Sequence, residues 1–152
     1  MRKFLVVLDD SQECLNAMRF AALRAAHTGG GVEVLAVIPP EEFNHWIGVG
    51  DIMREEARER IEVHFEVFAK WMRDKQGVDP ELVIREGEAV KEITQQIADD
   101  GEIGVLVLGA SSDTKKGPGP LVTQMSRSAG SLSVPITIVP GDLSKERLEA
   151  IT

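Results

Sequence analysis

The sequence predicts an α/β fold, a doubly wound five-stranded parallel sheet with helices on both faces. Continuous apolar runs rich in valine recur along the chain, which is the composition of strands buried on both faces. Segments with the three-to-four-residue spacing of amphipathic helices lie between them. This strand-then-helix alternation repeats four times and closes with a strand, and parallel strands joined in that way need right-handed crossovers, each with a covering element.

The first strand is Phe4 to Leu8. Leu15, Met18, Ala22 and Ala25 fall on one face of the helix that follows, and Gly29-Gly30-Gly31 ends it. Val32 to Ile38 is the second strand. A long amphipathic helix is expected from Asp51 to Asp74, where Met53, Ala57, Ile61, Phe65, Phe68 and Met72 recur at helical spacing. Leu82 to Ile84 is a shorter third strand, and Glu88 to Asp99 a third helix with Val90, Ile93 and Ile97 inward. Ile103 to Leu108, Leu121 to Leu132 and Ile136 to Val139 complete the alternation as strand, helix and strand. Pro140-Gly141 stops the sheet. Ser144 is then placed to cap a short helix through Ile151, one that packs loosely or mediates contacts. The expectation is one α/β domain over residues 1–140 and a short helical tail over 141–152, with no repeat or low-complexity linker.

A chain of 152 residues buries about two thirds of the surface its unfolded form exposes, so a core needs no staples. The composition, 43% hydrophobic and 28% charged, is that of a globular protein. Seventeen basic against 25 acidic residues, a formal charge of −8, argue against nucleic acid or an anionic membrane as partner. The single cysteine, Cys14, rules out an internal disulfide and a cysteine-rich zinc site and points to a reducing compartment. No apolar run approaches the roughly 20 residues of a membrane span, and Met1-Arg2-Lys3 leads into a strand-like run rather than a signal-peptide core. The expected location is the cytoplasm.

In a doubly wound sheet, ligands bind outside the carboxyl ends of the strands where the strand order reverses. Asp9, followed by Asp10 and Ser11, sits at such an end. A carboxylate that capped the first helix or braced the loop would occupy the same place. A phosphoacceptor receiver also carries paired acids there, but needs an aspartate ending its third strand and a lysine after its fifth, where this chain has Arg85-Glu86-Gly87 and Val139-Pro140-Gly141. A dinucleotide fold wants a glycine-rich turn directly after the first strand, and Asp-Asp-Ser there repels phosphate. The ingredients of an anion site lie instead in LGASSDTKKGPGPLVTQMSRSAG, Leu108 to Gly130: small residues at the strand exit, Lys115 and Lys116, a Gly-Pro-Gly-Pro turn, and Thr123 near the start of a helix. An unliganded surface loop is the competing reading.

The order of elements, Asp9 followed two residues later by serine, the long second helix, Gly87-Glu88-Ala89, VLVLG at Val105 to Gly109 and VPITIVPG at Val134 to Gly141 together resemble the universal stress protein family over residues 2–140. The resemblance implies a strand order of 3-2-1-4-5 and a homodimer assembled through the last strand. It implies an adenine nucleotide, ATP with Mg or AMP, held by a pattern of glycine, two residues, glycine, nine residues, glycine, then serine or threonine. A valine near the end of strand two and the strand-one aspartate hold the adenosine end. Carried over, the first glycine is Gly109, after Leu108, and the hydroxyl is Thr123, while Ser112 and Val122 stand where glycines are expected. The motif is degenerate, since a side chain obstructs backbone approach to phosphate oxygens. Gly117 and Gly119 lie a few residues earlier and could rebuild the turn with Lys115 or Lys116. Asp9 and Val37 keep the adenosine contacts better than the loop keeps the triphosphate contacts.

His27, His45 and His64 lack the spacing of a metal site and read as structural, and Cys14 as a small buried filler. Trp46 is a lid over the pocket or packs on the long helix or a second subunit, Trp71 is partly buried core, and the charges from Arg54 to Arg60 form a solvated face. The leading reading is a non-catalytic, homodimeric stress-response module in which nucleotide occupancy acts as the signal. The alternatives are a slow ATP hydrolase with Asp9 or Asp10 positioning magnesium, and a dimeric interaction protein that binds no nucleotide.

Overall fold

In the computed structural model the description covers residues 1–40 and 49–152, so the expectations for His45 and Trp46 fall outside the described residues. Five strands, β1 (Lys3–Val7), β2 (Gly31–Ile38), β3 (Glu81–Glu86), β4 (Ile103–Ala110) and β5 (Ile136–Pro140), form one sheet of order β3-β2-β1-β4-β5. Every pairing is parallel. Val6 pairs with Val107, so the ends of β1 and β4 lie side by side.

Side chains alternate across the pleat and divide the core in two. On one face Val6, Val34 and Val107 pack with Met18, Ala21 and Ala22 of α1 (Cys14–Thr28) and with Phe65 and Ala69 of α2 (Val49–Trp71). On the other, Leu5, Leu35 and Leu106 meet Ile93 and Ile97 of α3 (Ala89–Asp99) and Val122 and Met125 of α4 (Pro120–Ser128). Both faces are covered, which is why the strands read as continuous apolar runs.

Several details differ from the sequence reading. Leu15 is 41% exposed, and its neighbour Asn16 is buried instead. The Asn16 amide donates to the carbonyls of Pro140 and Leu143 at 3.1 and 2.9 Å, replacing the hydrogen bonds that burial removes. Met53, expected inward, is 38% exposed. The first turns of α2 are held by charge rather than burial, with Arg54 and Arg58 reaching Glu86 at the end of β3 at 3.3 and 3.7 Å. The fourth helix closes at Ser128, and residues Ala129–Ser131 form a separate 3₁₀ turn. The last helix, α5 (Lys145–Ile151), is not loosely packed: Leu148 is fully buried in the α1 face, Ser144 Oγ caps Arg147 N, and Arg24 donates to the Thr152 backbone oxygen.

The N-terminal end of the sheet holds a charge network that the apolar pattern concealed. Glu33, 1% exposed in the middle of the sheet, accepts a hydrogen bond from Gln96 at 3.1 Å. Lys3 Nζ lies 2.8 Å from Asp100, 3.3 Å from Glu81, and 3.6 Å from both Glu33 and Glu102. Its hydrogen bond to Asp100 holds the ammonium pKa well above the ordinary lysine value, and the same bond holds Asp100 below the ordinary aspartate value. Burial pushes the Glu33 carboxyl up.

Candidate functional site

At the opposite end of β1 the ladder closes with Leu8 N donating to Leu35 O at 2.8 Å. The chain then turns on Asp9, whose Oδ1 accepts from Ser11 N at 2.9 Å and from Ser11 Oγ. This is an aspartate turn, in which the side chain replaces a backbone acceptor. Asp9 and Asp10 are both exposed. Neither caps α1: the residue at its N-cap is Glu13, with no side-chain cap hydrogen bond. Cys14 follows, buried, its Sγ 3.6 Å from Val7 O, and burial pushes its thiol up to about 12. It is a filler, not a nucleophile.

Glu13 was not among the residues singled out from sequence, yet it organises the cleft. A Cβ on Gly109 would fall 2.3 Å from the Glu13 carbonyl oxygen, and one on Gly141 would fall 2.7 Å from Glu13 Cβ. The start of α1 therefore lies directly on the ends of β4 and β5, and only glycine fits beneath it. The Glu13 carboxylate turns toward Gly119, whose Cβ position is 3.8 Å from Oε1.

The loop after β4 closes on itself. Ser111 N donates to Pro118 O and Gly117 N to Asp113 O, each at 3.0 Å, and Asp113 Oδ1 accepts from the backbone of Lys115 and Lys116. Gly119, at φ 106°, turns the chain into α4, where Pro120 occupies the first turn. Thr123 Oγ1 donates back to Gly119 O at 2.9 Å, inside the first turn of the helix.

Three cavities follow one another along this edge. The first, about 320 Å³, has Asp9, Val37 and Ile38 on one side and Ala57, Ile61 and His64 of α2 on the other. The second, about 140 Å³, lies between Asp9 and Gly109, with Glu13, Gly119 and Val122 around it. The third is a shallow depression of about 570 Å³ bordered by Glu13, Lys116, Gly117, Thr123 and Arg127. Asp9 is shared by the first two, and Glu13 and Gly119 by the second and third.

Of the residues expected from sequence, Asp9, Val37, Leu108, Gly109, Gly117, Gly119, Val122 and Thr123 all border this track. Ser112 is exposed and borders none of the three cavities. Val122 is 4% exposed and packs with Leu108 and Met125, so its side chain forms a floor. His64 stands at the cavity wall, its ring 5.2 Å from that of Phe68 at a 43° tilt. Nothing in its sequence spacing marked it, because only the crossing of α2 over the end of β2 brings it near Asp9. Among the described residues no group of three or more His, Cys, Asp or Glu side chains is placed to hold a metal ion.

A sequence model described as the universal stress protein family matches residues 1–140. Among solved structures, the universal stress protein UspA from Lactobacillus plantarum is 15% identical with a TM-score of 0.75, covering 91% of this chain and 97% of that one. A universal stress protein in complex with cAMP is 17% identical with a TM-score of 0.61, over 93% of this chain and 98% of the other. The universal stress protein from Archaeoglobus fulgidus in complex with dAMP is 19% identical with a TM-score of 0.59, over 91% and 98%. At these identities the likeness is one of fold. Comparison with curated protein sequences gives no significant match.

Proposed function

Because the chain belongs to the universal stress protein family, we propose that it is a non-catalytic stress-response module that takes an adenine nucleotide at the carboxyl ends of β1 and β4. The observation that carries this reading is the continuity of the three cavities through Asp9 and Gly119. The 320 Å³ cavity lies at the lower end of the usual ligand range, about 300–1,000 Å³, and suits a nucleoside. His64, braced by Phe68, and Ile61 offer a wall for the base, and Asp9 Oδ2 is the acceptor we assign to a ribose hydroxyl.

Phosphate must then pass the 140 Å³ neck beside the Glu13 carboxylate before reaching Lys116 and Arg127. Like charges a few ångströms apart at a protein surface repel by about 1 kcal/mol or more. A monophosphate is therefore favoured over a triphosphate, in keeping with the cAMP and dAMP held by two solved members of the family. We assign none of the affinity to a protein-held magnesium ion, and no hydrolytic role to any described residue. The module works in the cytoplasm as a homodimer through β5, which among the described residues is an edge strand paired with β4 and whose Ile138 is 44% exposed.

Isothermal titration with AMP, cAMP and ATP tests this, together with mass spectrometry of small molecules released from the purified protein. Saturable AMP binding, with ATP no tighter, is expected. No heat with any adenine nucleotide at millimolar concentration, and none released, would leave the reading of a dimeric interaction protein. Phosphate release above background from ATP would establish the hydrolase instead.

A further inference from the structure

We propose that a separate cavity of about 300 Å³, between α1, the end of α2 and α5, is a binding site for a small aromatic carboxylate. Its floor is apolar, made by Leu23 and Leu148, which are 7% and 0% exposed. Trp71 forms a wall and remains partly exposed. Arg19, Lys75 and Lys145 stand around the opening, opposed by the single carboxylate of Glu149.

The rim of this cavity is cationic although the chain as a whole is acidic. Acids outnumber bases, 25 to 17, and six other cations, Lys3, Arg54, Arg58, Lys70, Arg73 and Arg85, lie within 4 Å of a carboxylate. Arg19, Lys75 and Lys145 make no such ion pair with another described residue. Asp74, next to Lys75 in sequence, is already held by Lys70 at 2.9 Å. Three cations that border one cavity with an indole, none of them ion-paired with a described residue, form a site complementary to an anion that carries a ring.

The backbone contributes a second, independent feature. After Trp71 the helix widens into a π-helical turn, Met72–Gln76, closed by Gly77 N donating to Met72 O. In an ordinary α-helix residues four apart share a face and a residue five apart is rotated off it. The i-to-i+5 repeat of the wider turn lets Trp71, Lys75 and Gln76 border one cavity together. The volume, 300 Å³, lies at the bottom of the range for small-molecule pockets, about 300–1,000 Å³, and the indole wall and cationic rim, rather than the volume, select the ligand. The Arg19 guanidinium supplies the planar fork that matches a carboxylate.

Fluorine NMR of 4-fluorobenzoate titrated with the full chain tests the site. Saturable broadening is expected, weakened at least ten-fold by Arg19→Gln and by the Lys75→Gln, Lys145→Gln pair. Lys75 and Lys145 are exposed, so the pair is expected to leave the melting temperature unchanged. The neutral 4-fluorobenzyl alcohol is expected to bind at least ten-fold more weakly, and excess inorganic phosphate not to displace the probe. Absence of a saturable signal overturns the proposal, as does an undiminished signal in the charge variants or displacement by phosphate. Displacement by AMP overturns it too, since the probe would then occupy the cleft at Asp9.

Discussion

The two ends of β1 treat charge in opposite ways. At the N-terminal end Lys3 is surrounded by Glu33, Asp100, Glu81 and Glu102, and Glu33 is buried and hydrogen-bonded to Gln96. At the C-terminal end Asp9 and Asp10 are exposed, and Asp9 Oδ1 accepts from Ser11 within its own turn. The first end is closed by ion pairs and the second borders the cavities beside Asp9. Acidic side chains in the same fold therefore divide into those whose charge is neutralised by a neighbour and those left available to a ligand.

The largest disturbance comes from unpairing the closed end. Lys3→Met strands Glu33 without its cation, and loss of one partner of a buried pair costs about 3 kcal/mol. Urea denaturation at pH 7 should show that loss, and a smaller one at pH 4, where Glu33 takes up a proton. A similar loss at both pH values would mean that Lys3 acts by packing its stem alone.

At the open end the largest effect is steric. Gly109→Ala sets a methyl 2.3 Å from the Glu13 carbonyl oxygen, where backbone rather than a flexible side chain must yield. Overpacking of this kind costs about 2 kcal/mol, readable as a lowered melting temperature whether or not nucleotide is present. Asp9→Ala separates the two ends further. Stability should change by less than about 0.5 kcal/mol at this exposed position, while AMP affinity falls at least ten-fold, about 1.4 kcal/mol. Equal losses in stability and affinity would show that Asp9 is a turn-former only.

Glu33→Gln has the smallest expected effect and the most informative pH dependence. A carboxyl whose pKa is raised in the folded state contributes stability that is full below its ordinary value, near 4.5, and is lost as pH rises through the folded one. Asp100, whose pKa is lowered, contributes above its ordinary value, near 3.8, and loses that contribution as pH falls. The variant removes the first contribution and leaves in place the Lys3 bond that dominates the second. Relative to the native chain it should gain stability as pH rises from 4 to 7.

Much of the fold was legible because both faces of the sheet are covered, which leaves long apolar runs, and because α2 and α3 carry clear helical spacing. Leu82 to Ile84 reads short since Glu81 and Glu86 extend β3 with charge at an edge of the sheet. Asp9 was legible as a neighbour of a cleft from its place at the end of the first strand, and Val37 from the family resemblance. Glu13 and His64 were not, because each reaches the site through packing between elements distant in sequence. Glu33 was hidden for a related reason. A lone carboxylate in a valine-rich strand acquires its meaning only when the parallel register sets Lys3 beside Gly31 and Glu33 beside Glu81.

Gly109 carries one further lesson. The Glu13 backbone excludes any larger residue there, with ligand present or absent. A fingerprint that scores this position as a phosphate contact credits chemistry with what sterics alone enforces. In this chain Gly109 therefore has little diagnostic weight for nucleotide occupancy, and the shape of the space beyond it is the better witness.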